Sequence, residues 1–418
     1  MTGPPKDSTR TEVLAVSITS HVRALCNLEP DRSPGSPGNR DAVAYVETAL
    51  EGLGLEVESL PFETFGWRAG AAALDTGGET IPVHPGPYSP SYDGSGPLAV
   101  AASVDEIGSA DARESILLLH GPVAAEQLTP RGYPWYDNPS HDAILDAIEA
   151  AAPACVIAAT GTDPASAAGL SPFPLIEDAG FDIPSAYVSE DLVPRLRPFA
   201  GTALRARIDS ERFVAACSQP IGRLRGRTDT LRVLVTSHLD TKPGTPGALD
   251  NASGVAVMLA VAELLRGDPP RLTVEFVAFN GEDHFASPGE VAYLDAYPDA
   301  SDVALVINID GAGYTGRPTA LSRFGIDGPL ETAVDSALAD HPRITEGEPW
   351  LSGDHAIFVM RNVPALALTS GGMRSLWATV PHTHADTPDV LDPGLLAHTA
   401  RFVAGVVRAL DRRQEHHS

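Results

Sequence analysis

Two histidines and a series of carboxylates stand at the ends of apolar runs in this chain, and their types suit metal-assisted chemistry. SHLD supplies His238 and Asp240, and GALDNASG supplies Asp250. FNGED supplies Glu282 and Asp283, and INIDG supplies Asp310. Far downstream, PHTHADTPD supplies His382, His384 and Asp386. Imidazole nitrogen and carboxylate oxygen together suit a Zn²⁺-type site. In His238-Leu-Asp240 the two-residue period of a strand puts both polar side chains on one side. Asp240 can then accept the second imidazole N–H and fix the tautomer of a ligating histidine. Glu282 and Asp283 are adjacent and point in different directions, so one can bind metal while the other stays free as a base. Each fragment alone has an ordinary reading. An H-x-D pair can be structural, an acidic pair in a loop solvated, Asp310 a turn residue, and Asp250 a residue of a helix N-terminus. Five such fragments at successive strand ends are not a chance arrangement.

The elements that must position these residues form an α/β pattern. LRVLVTSHLD, LTVEFVAFNGED, VALVINID and VPALALTS read as buried strands. GVAVMLAVAELLRG, PLETAVDSALAD and GLLAHTARFVAGVVRALDRR read as the helices between and after them. Continuous apolar strands alternating with helices predict a three-layer, mainly parallel sheet. Ligands of such sheets bind beyond the carboxyl ends of the strands, where these residues fall. Helices are expected over Val13 to Leu28 and Asp41 to Leu53. Between about Trp67 and Arg207 the texture turns to Gly, Pro and Ser with short apolar runs, which predicts an inserted β-rich module over 67–207. The other domain is then discontinuous, 1–66 and 208–418. GLEVESLPFE and FVAACSQPIGRL are expected to pair as strands across the insertion.

A length of 418 residues allows two to three domains. The net charge of −26 repels phosphate backbones and argues against nucleic acid as a partner. The only lysines are Lys6 and Lys242. Cys26, Cys155 and Cys217 are odd in number and far apart, which suggests neither a disulfide framework nor metal ligation. No secretory signal and no long uninterrupted apolar run is seen, so a cytoplasmic location without a membrane partner is the expectation. The sequence carries no indication of oligomeric state.

Read in order, SHLD, GALDNASGVA, FNGED, NID and HTHADTPD resemble the co-catalytic zinc aminopeptidases, metallopeptidase family twenty-eight. That family includes bacterial and yeast aminopeptidases, glutamate carboxypeptidases and, more distantly, glutaminyl cyclases. RSPGSPGN (Arg32 to Asn39) and SGDHAIFVMRNVPAL (Ser352 to Leu366) agree with it. The resemblance covers about Ser20 to Phe62 and Phe213 to Leu410, and implies a phosphorylase/hydrolase-like fold with a protease-associated-like insert. It implies that Asp250 bridges two Zn²⁺ ions, with His238 and Asp310 completing one site and Asp283 and His382 the other. A single Zn²⁺ is the alternative. It further implies Glu282 as general base, Asp240 as support for His238, Asp354 and His355 as pocket-wall residues near substrate (a buried capping role being the alternative), and a cis peptide between Asp250 and Asn251. The implied activity is hydrolysis of a peptide or amide bond, as an aminopeptidase. The alternatives are a glutaminyl-cyclase-like acyltransferase and a carboxypeptidase or amidohydrolase on a small metabolite, the last needing cations such as Arg323, Arg361 or Arg374. A non-catalytic binding protein on the same scaffold is opposed by retention of all five ligand positions and the base.

Three departures from the family pattern stand out. Asp283 replaces the usual glutamate, Pro381 stands where several aminopeptidases carry an oxyanion-stabilising tyrosine, and HFASPGE brings His284 and Glu290 after the acidic pair. GAGYTG (Gly311 to Gly316) satisfies a dinucleotide fingerprint on paper, but Arg317-Pro318 follows at once, so a strand-end loop is expected. No G-x-S-x-G elbow occurs. His384 is the substitute ligand should His382 not serve. Tyr133, Trp135 and Tyr136 form an aromatic loop within the insertion, either a satellite cluster or a lid.

Overall fold

The computed structural model describes residues 7–161, 174–227, 231–377 and 379–414, so Lys6 lies outside the described residues. The chain forms two compact units, one of Met1–Phe62 and Ala216–Ser418, the other Glu63–Ala215. Two long strands, Glu56–Asp75 and Ala203–Leu224, contain these boundaries and pair with each other, as the flanking sequences led us to expect.

In the larger unit the sheet order runs from the end of Ala203–Leu224 through Thr273–Phe279, Arg232–His238, Val303–Ile309 and Ala365–Ser370 to Thr319–Phe324 and Ile344–Glu346. The four central strands from Thr273 to Ser370 are mutually parallel. The two boundaries are antiparallel, Ala203–Leu224 on Thr273–Phe279 and Thr319–Phe324 on Ala365–Ser370. Side-chain alternation explains the layering. Val274, Phe276 and Ala278 enter the main apolar core with Val233, Val235, Ile307 and Leu366. The intervening Phe279 turns to the other face, where it packs against Tyr293 and Phe358. Helices Asp7–Cys26, Ser253–Arg266, Gly328–Ala339 and Pro393–Gln414 pack together over the main core. Helix Pro288–Ala296 brings Tyr293 to the opposite face. The result is the three-layer α/β fold. The stretch Ala248–Arg266 is long and apolar enough to cross a membrane, but 89% of it is buried inside the protein, as befits a core helix.

In the smaller unit the strands run in the order Glu56–Asp75, Thr80–Pro85, Ser185–Ser189, Cys155–Thr160, Ile116–Leu119, Tyr92–Ala101 and Ala203–Leu224. Its four inner strands are parallel. Helices Val104–Ser109 and Pro139–Ala151 cover one face of these strands, so the mixed module is α/β at its centre. Within it Tyr133 and Tyr136 form an edge-on pair at 5.1 Å between centroids.

Candidate metal centre

Neighbouring parallel strands of the larger sheet end at one edge and deliver donors there. His238 is the last residue of Arg232–His238, and its ladder partner Phe279 ends the strand that leads into Glu282 and Asp283. Asp310 follows Val303–Ile309 directly, its N–H held by the Leu368 carbonyl at 2.9 Å. Asp250 occupies the turn Ala248–Ala252 immediately before helix Ser253–Arg266. His382 comes from the loop ahead of Pro393–Gln414 and adopts φ of 60°, in the left-handed region that non-glycine residues enter rarely.

These five side chains converge as two overlapping triads, His238–Asp250–Asp310 and Asp250–Asp283–His382, each with ligand atoms within 4.8 Å of one another. Asp250 is common to both. Its Oδ1 lies 3.0 Å from Nε2 of His238, and its Oδ2 lies 3.2 Å from Nε2 of His382. Asp283 Oδ1 is 2.9 Å from His382 Nε2, and Asp310 Oδ1 is 3.5 Å from His238 Nε2. The side chains fit a divalent ion on two counts. Both ring nitrogens of His238, Oδ2 of Asp250, Oδ2 of Asp283 and Oδ1 of Asp310 are buried without a hydrogen-bond partner. Orphaned buried polar atoms are costly unless something else satisfies them, and a cation does so for this nitrogen–carboxylate set. His384 is exposed and outside both triads.

The electrostatics agree. Burial opposes a charge on His238, but Asp240, Asp250 and Asp310 overcome it and hold the imidazole well above its ordinary value. Burial likewise opposes a charge on His382, yet Asp283 and Asp250 raise it to about 10. Burial also works against ionised Asp250, but the two imidazoles bring its carboxyl far below the usual range. The same carboxylates that favour positive charge on the two rings would favour a cation beside them. Glu282, half-buried beside both triads and part of neither, differs: burial, reinforced by Asp310, Asp283 and Asp354 against the pull of His238, keeps its carboxyl well above normal.

A surrounding set of groups fixes the loops that carry the ligands. Asp240 stands 3.6 Å from Nδ1 of His238, beyond hydrogen-bond reach. Its carboxylate instead accepts the backbone N–H groups of Gly281 (2.7 Å), Glu282 (3.2 Å) and Asp283 (3.1 Å), so it orients the acidic pair more than the imidazole. Lys242 Nζ donates to the Asp283 carbonyl at 2.5 Å. Asp386 accepts the N–H groups of Leu249 and Asp250. The Asp250–Asn251 peptide is cis, and Asn251 Nδ2 donates to Ser237 Oγ and to the Ile309 carbonyl, tying this turn to two ligand-bearing strands.

Arg32 is buried and spends its guanidinium on backbone carbonyls. Nε donates to Leu239 (2.8 Å), Nη1 to Leu25 (3.2 Å) and Pro246 (2.8 Å), and Nη2 to Gly247 (2.8 Å). A Cβ at Gly247 would come within 2.8 Å of that guanidinium and 2.6 Å of the Asp250 carbonyl, which explains a glycine there. Asn39 donates to the Arg32 carbonyl and exchanges side-chain hydrogen bonds with Asn280, next to the acidic pair. RSPGSPGN thus braces the loops on both sides of the site. Sequence reasoning matched this stretch without assigning it a task, and did not single out Lys242 for one. The signal for Lys242 was its rarity in a chain whose other bases are almost all arginine.

A cavity of about 640 Å³ opens beside Asp310, lined among others by Trp350, Ser352, Met373, Arg374 and Trp377. Asp354 and His355 are buried behind this wall and do not line it. Neither Asp354 oxygen has a hydrogen-bond partner, and burial, with Glu290 nearby, raises its carboxyl well above normal. His355 Nε2 lies 2.7 Å from the Trp350 carbonyl. Of the cations considered for a carboxylate substrate, Arg323 is held by Asp335 and Glu346, Arg361 bonds the Ile357 carbonyl, and Arg374 reaches the cavity. Pro381 is buried, and no tyrosine is among the described lining residues. His284 and Glu290 are also buried, His284 stacked on Phe285 at 4.3 Å. Gly311, Gly313 and Gly316 form a loop of positive φ with no helix after it, so the fingerprint does not hold a dinucleotide.

Comparison with known proteins agrees with this geometry. The chain is 26% identical over 312 residues to a probable lipoprotein aminopeptidase, LpqL, of Mycobacterium tuberculosis, covering 72% of this chain and 59% of the relative. It spans less than two thirds of the length of the curated relatives it matches first. Its fold superposes on a zinc aminopeptidase, BSAP, of Bacillus subtilis with a TM-score of 0.73 at 20% identity, covering 94% of each chain. It superposes equally on a peptidase M28 precursor of Shewanella amazonensis, TM-score 0.73 at 20% identity, covering 96% of each. Residues 220–407, which hold every ligand candidate and Glu282, match the model of peptidase family M28, and it is to this family that the segment is similar.

Proposed function

We propose that the protein is a dizinc aminopeptidase that hydrolyses the amide bond next to a free amino terminus. One observation carries the reading: the two oxygens of Asp250 face two different imidazoles, 3.0 and 3.2 Å away, each within a separate triad. His238, Asp250 and Asp310 would hold one ion, and Asp250, Asp283 and His382 the other. Such a pair supplies Lewis-acid polarisation of the scissile carbonyl and a nucleophile at neutral pH. Asp283, one methylene shorter than glutamate, still reaches His382 at 2.9 Å, which supports it as a ligand.

Glu282 then acts on the proton. Its raised affinity suits a carboxylate that takes a proton from the attacking water and returns it to the leaving amine. Asp240 keeps that carboxylate in place through the backbone of residues 281–283. The smaller unit is proposed to be a protease-associated-like module.

The test is a panel of aminoacyl p-nitroanilides on zinc-loaded protein, with Glu282→Gln as the paired variant. Turnover of one or more substrates is expected, with kcat falling about 10²- to 10⁴-fold in the variant while its zinc content stays at the wild-type level. Unchanged turnover in Glu282→Gln removes it from the role of base. Absence of hydrolysis across the panel overturns the aminopeptidase reading.

A further inference from the structure

We propose that Lys242 is a positioning residue for the triad of Asp250, Asp283 and His382: its ammonium fixes the main chain at Asp283, so that this short carboxylate reaches the ion held there. This rests on the two-ion reading above and concerns the ligand that is one methylene shorter than the glutamate expected at its position.

Asp283 lies in a stretch without regular structure, between strand Thr273–Phe279 and helix Pro288–Ala296. Two side chains of opposite charge hold it. Asp240 Oδ2 accepts the Asp283 N–H at 3.1 Å, and Lys242 Nζ donates to the Asp283 carbonyl at 2.5 Å. Both polar groups of this residue's main chain are thus engaged by charge-assisted hydrogen bonds, which are about twice as strong as neutral ones.

An ammonium on a flexible four-carbon stem anchors a partner only if its own backbone is fixed. The loop carrying Lys242 meets that condition. Arg32 N–H donates to Thr241 Oγ1 at 3.2 Å, while the Arg32 guanidinium holds the carbonyls of Leu239, Pro246 and Gly247. The buried Asp31 carboxylate accepts the Gly244 N–H at 2.8 Å. Thr245 Oγ1 donates to the Lys242 carbonyl at 2.8 Å. Asp31 and Arg32 therefore brace the loop from which Lys242 reaches Asp283.

Side-chain length gives this support its purpose. Aspartate has two side-chain torsions where glutamate has three, so it has less freedom to bring a carboxylate back to an ion from a displaced backbone. Asp283 Oδ1 nonetheless lies 2.9 Å from His382 Nε2, and its Oδ2 is buried without a hydrogen-bond partner. Its reach depends on where the main chain stands, and that is what Asp240 and Lys242 determine.

The sign of the charge separates two roles. A cation so near a cation site opposes metal binding on Coulombic grounds. If Lys242 acted by charge alone, removing it would strengthen zinc binding, and salt would mask the gain. If it acts by holding the main chain, removing it weakens binding.

The experiment titrates zinc on full-length protein against a chromophoric chelator, in wild type, Lys242→Met, Asp283→Glu and the double variant. Lys242→Met should weaken one of the two binding steps about 10- to 100-fold and leave the other unchanged. In the double variant the longer glutamate should bring that step back to the affinity of Asp283→Glu alone. Lys242→Arg, which keeps a charged donor, should stay closer to wild type than Lys242→Met. Unchanged or tighter binding in Lys242→Met overturns the proposal, as does an equal weakening in the Asp283→Glu background. A second arm needs no metal. Amide hydrogen exchange of zinc-free Lys242→Met should be faster than wild type over residues 281–287. It should keep the wild-type rate in helix Ser253–Arg266, which shows that the variant is folded. Equal exchange over 281–287 overturns the proposal. A wild-type count below two ions overturns the two-ion reading by itself, and the exchange arm then decides the role of Lys242.

Discussion

The carboxylate of Asp386 grips the backbone of Asp250: one oxygen accepts the Leu249 N–H at 2.6 Å and the other accepts the Asp250 N–H at 3.0 Å. The residue shared by both triads is therefore aimed by a carboxylate 136 positions away in sequence. Groups that orient ligands typically carry 10- to 100-fold in metal affinity. Asp386→Ala is expected to weaken zinc binding by about that factor in competition with a chromophoric chelator. An affinity equal to wild type would show that the turn holds its shape without Asp386.

The overlap of the triads at one residue makes metal stoichiometry a sharp readout. Wild-type protein should hold two zinc ions per chain, counted by mass spectrometry after dialysis. His238→Ala should lose one and retain the other. His382→Ala should show the converse, and Asp250→Ala should lose both. A wild-type count of one would return the site to the single-ion alternative.

Arg32 supports a stability prediction that needs no metal. Its guanidinium satisfies four carbonyls in a buried setting, and hydrogen bonds to charged groups contribute about 1.5–3 kcal/mol each at most. Arg32→Met should lower the unfolding free energy of zinc-free protein by about 3 kcal/mol or more, read from urea midpoints. A loss below about 1 kcal/mol would mean water replaces the guanidinium.

Glu290 supplies the pH dependence. Burial, with Asp240 and Asp283 adding to it, raises its carboxyl from 4.5 to about 8. Between those values the folded protein keeps a proton that the unfolded chain has released, so unfolding releases it and this group's contribution to stability declines as pH rises. The decline starts near pH 4.5 and ends near pH 8. Glu290→Gln removes it. In urea unfolding of zinc-free protein, the variant should match wild type near pH 5 and gain on it by about a kcal/mol or more near pH 8.5. A constant difference between the two at both values would remove Glu290 as the source.

His238, Asp283 and Asp310 were legible because each closes or follows a strand announced by an apolar run, whereas His382, in a loop, was legible through the HTHADTPD stretch. Asp250 was legible through the specific LDNASGVA stretch. Asp240 shows the limit: the H-x-D spacing placed it beside His238, but its partners are backbone amides of residues 281–283, which no side-chain pattern encodes. Arg32 was hidden for the same reason, since its partners are carbonyls. Ile344–Glu346 went unread because it has three residues at the sheet's edge, and its neighbour Thr319–Phe324 because Ser322 and Arg323 interrupt its apolar run. Helix Pro288–Ala296 was masked by the Ser-Pro-Gly run that opens it.

The donors come from separate strand ends and a distant loop, and no single hairpin or helix carries a whole triad. An ion meeting the chain before the sheet has assembled finds no fragment able to hold it. Its stabilisation therefore falls on the finished state alone, which slows the opening of the native protein without hastening its formation.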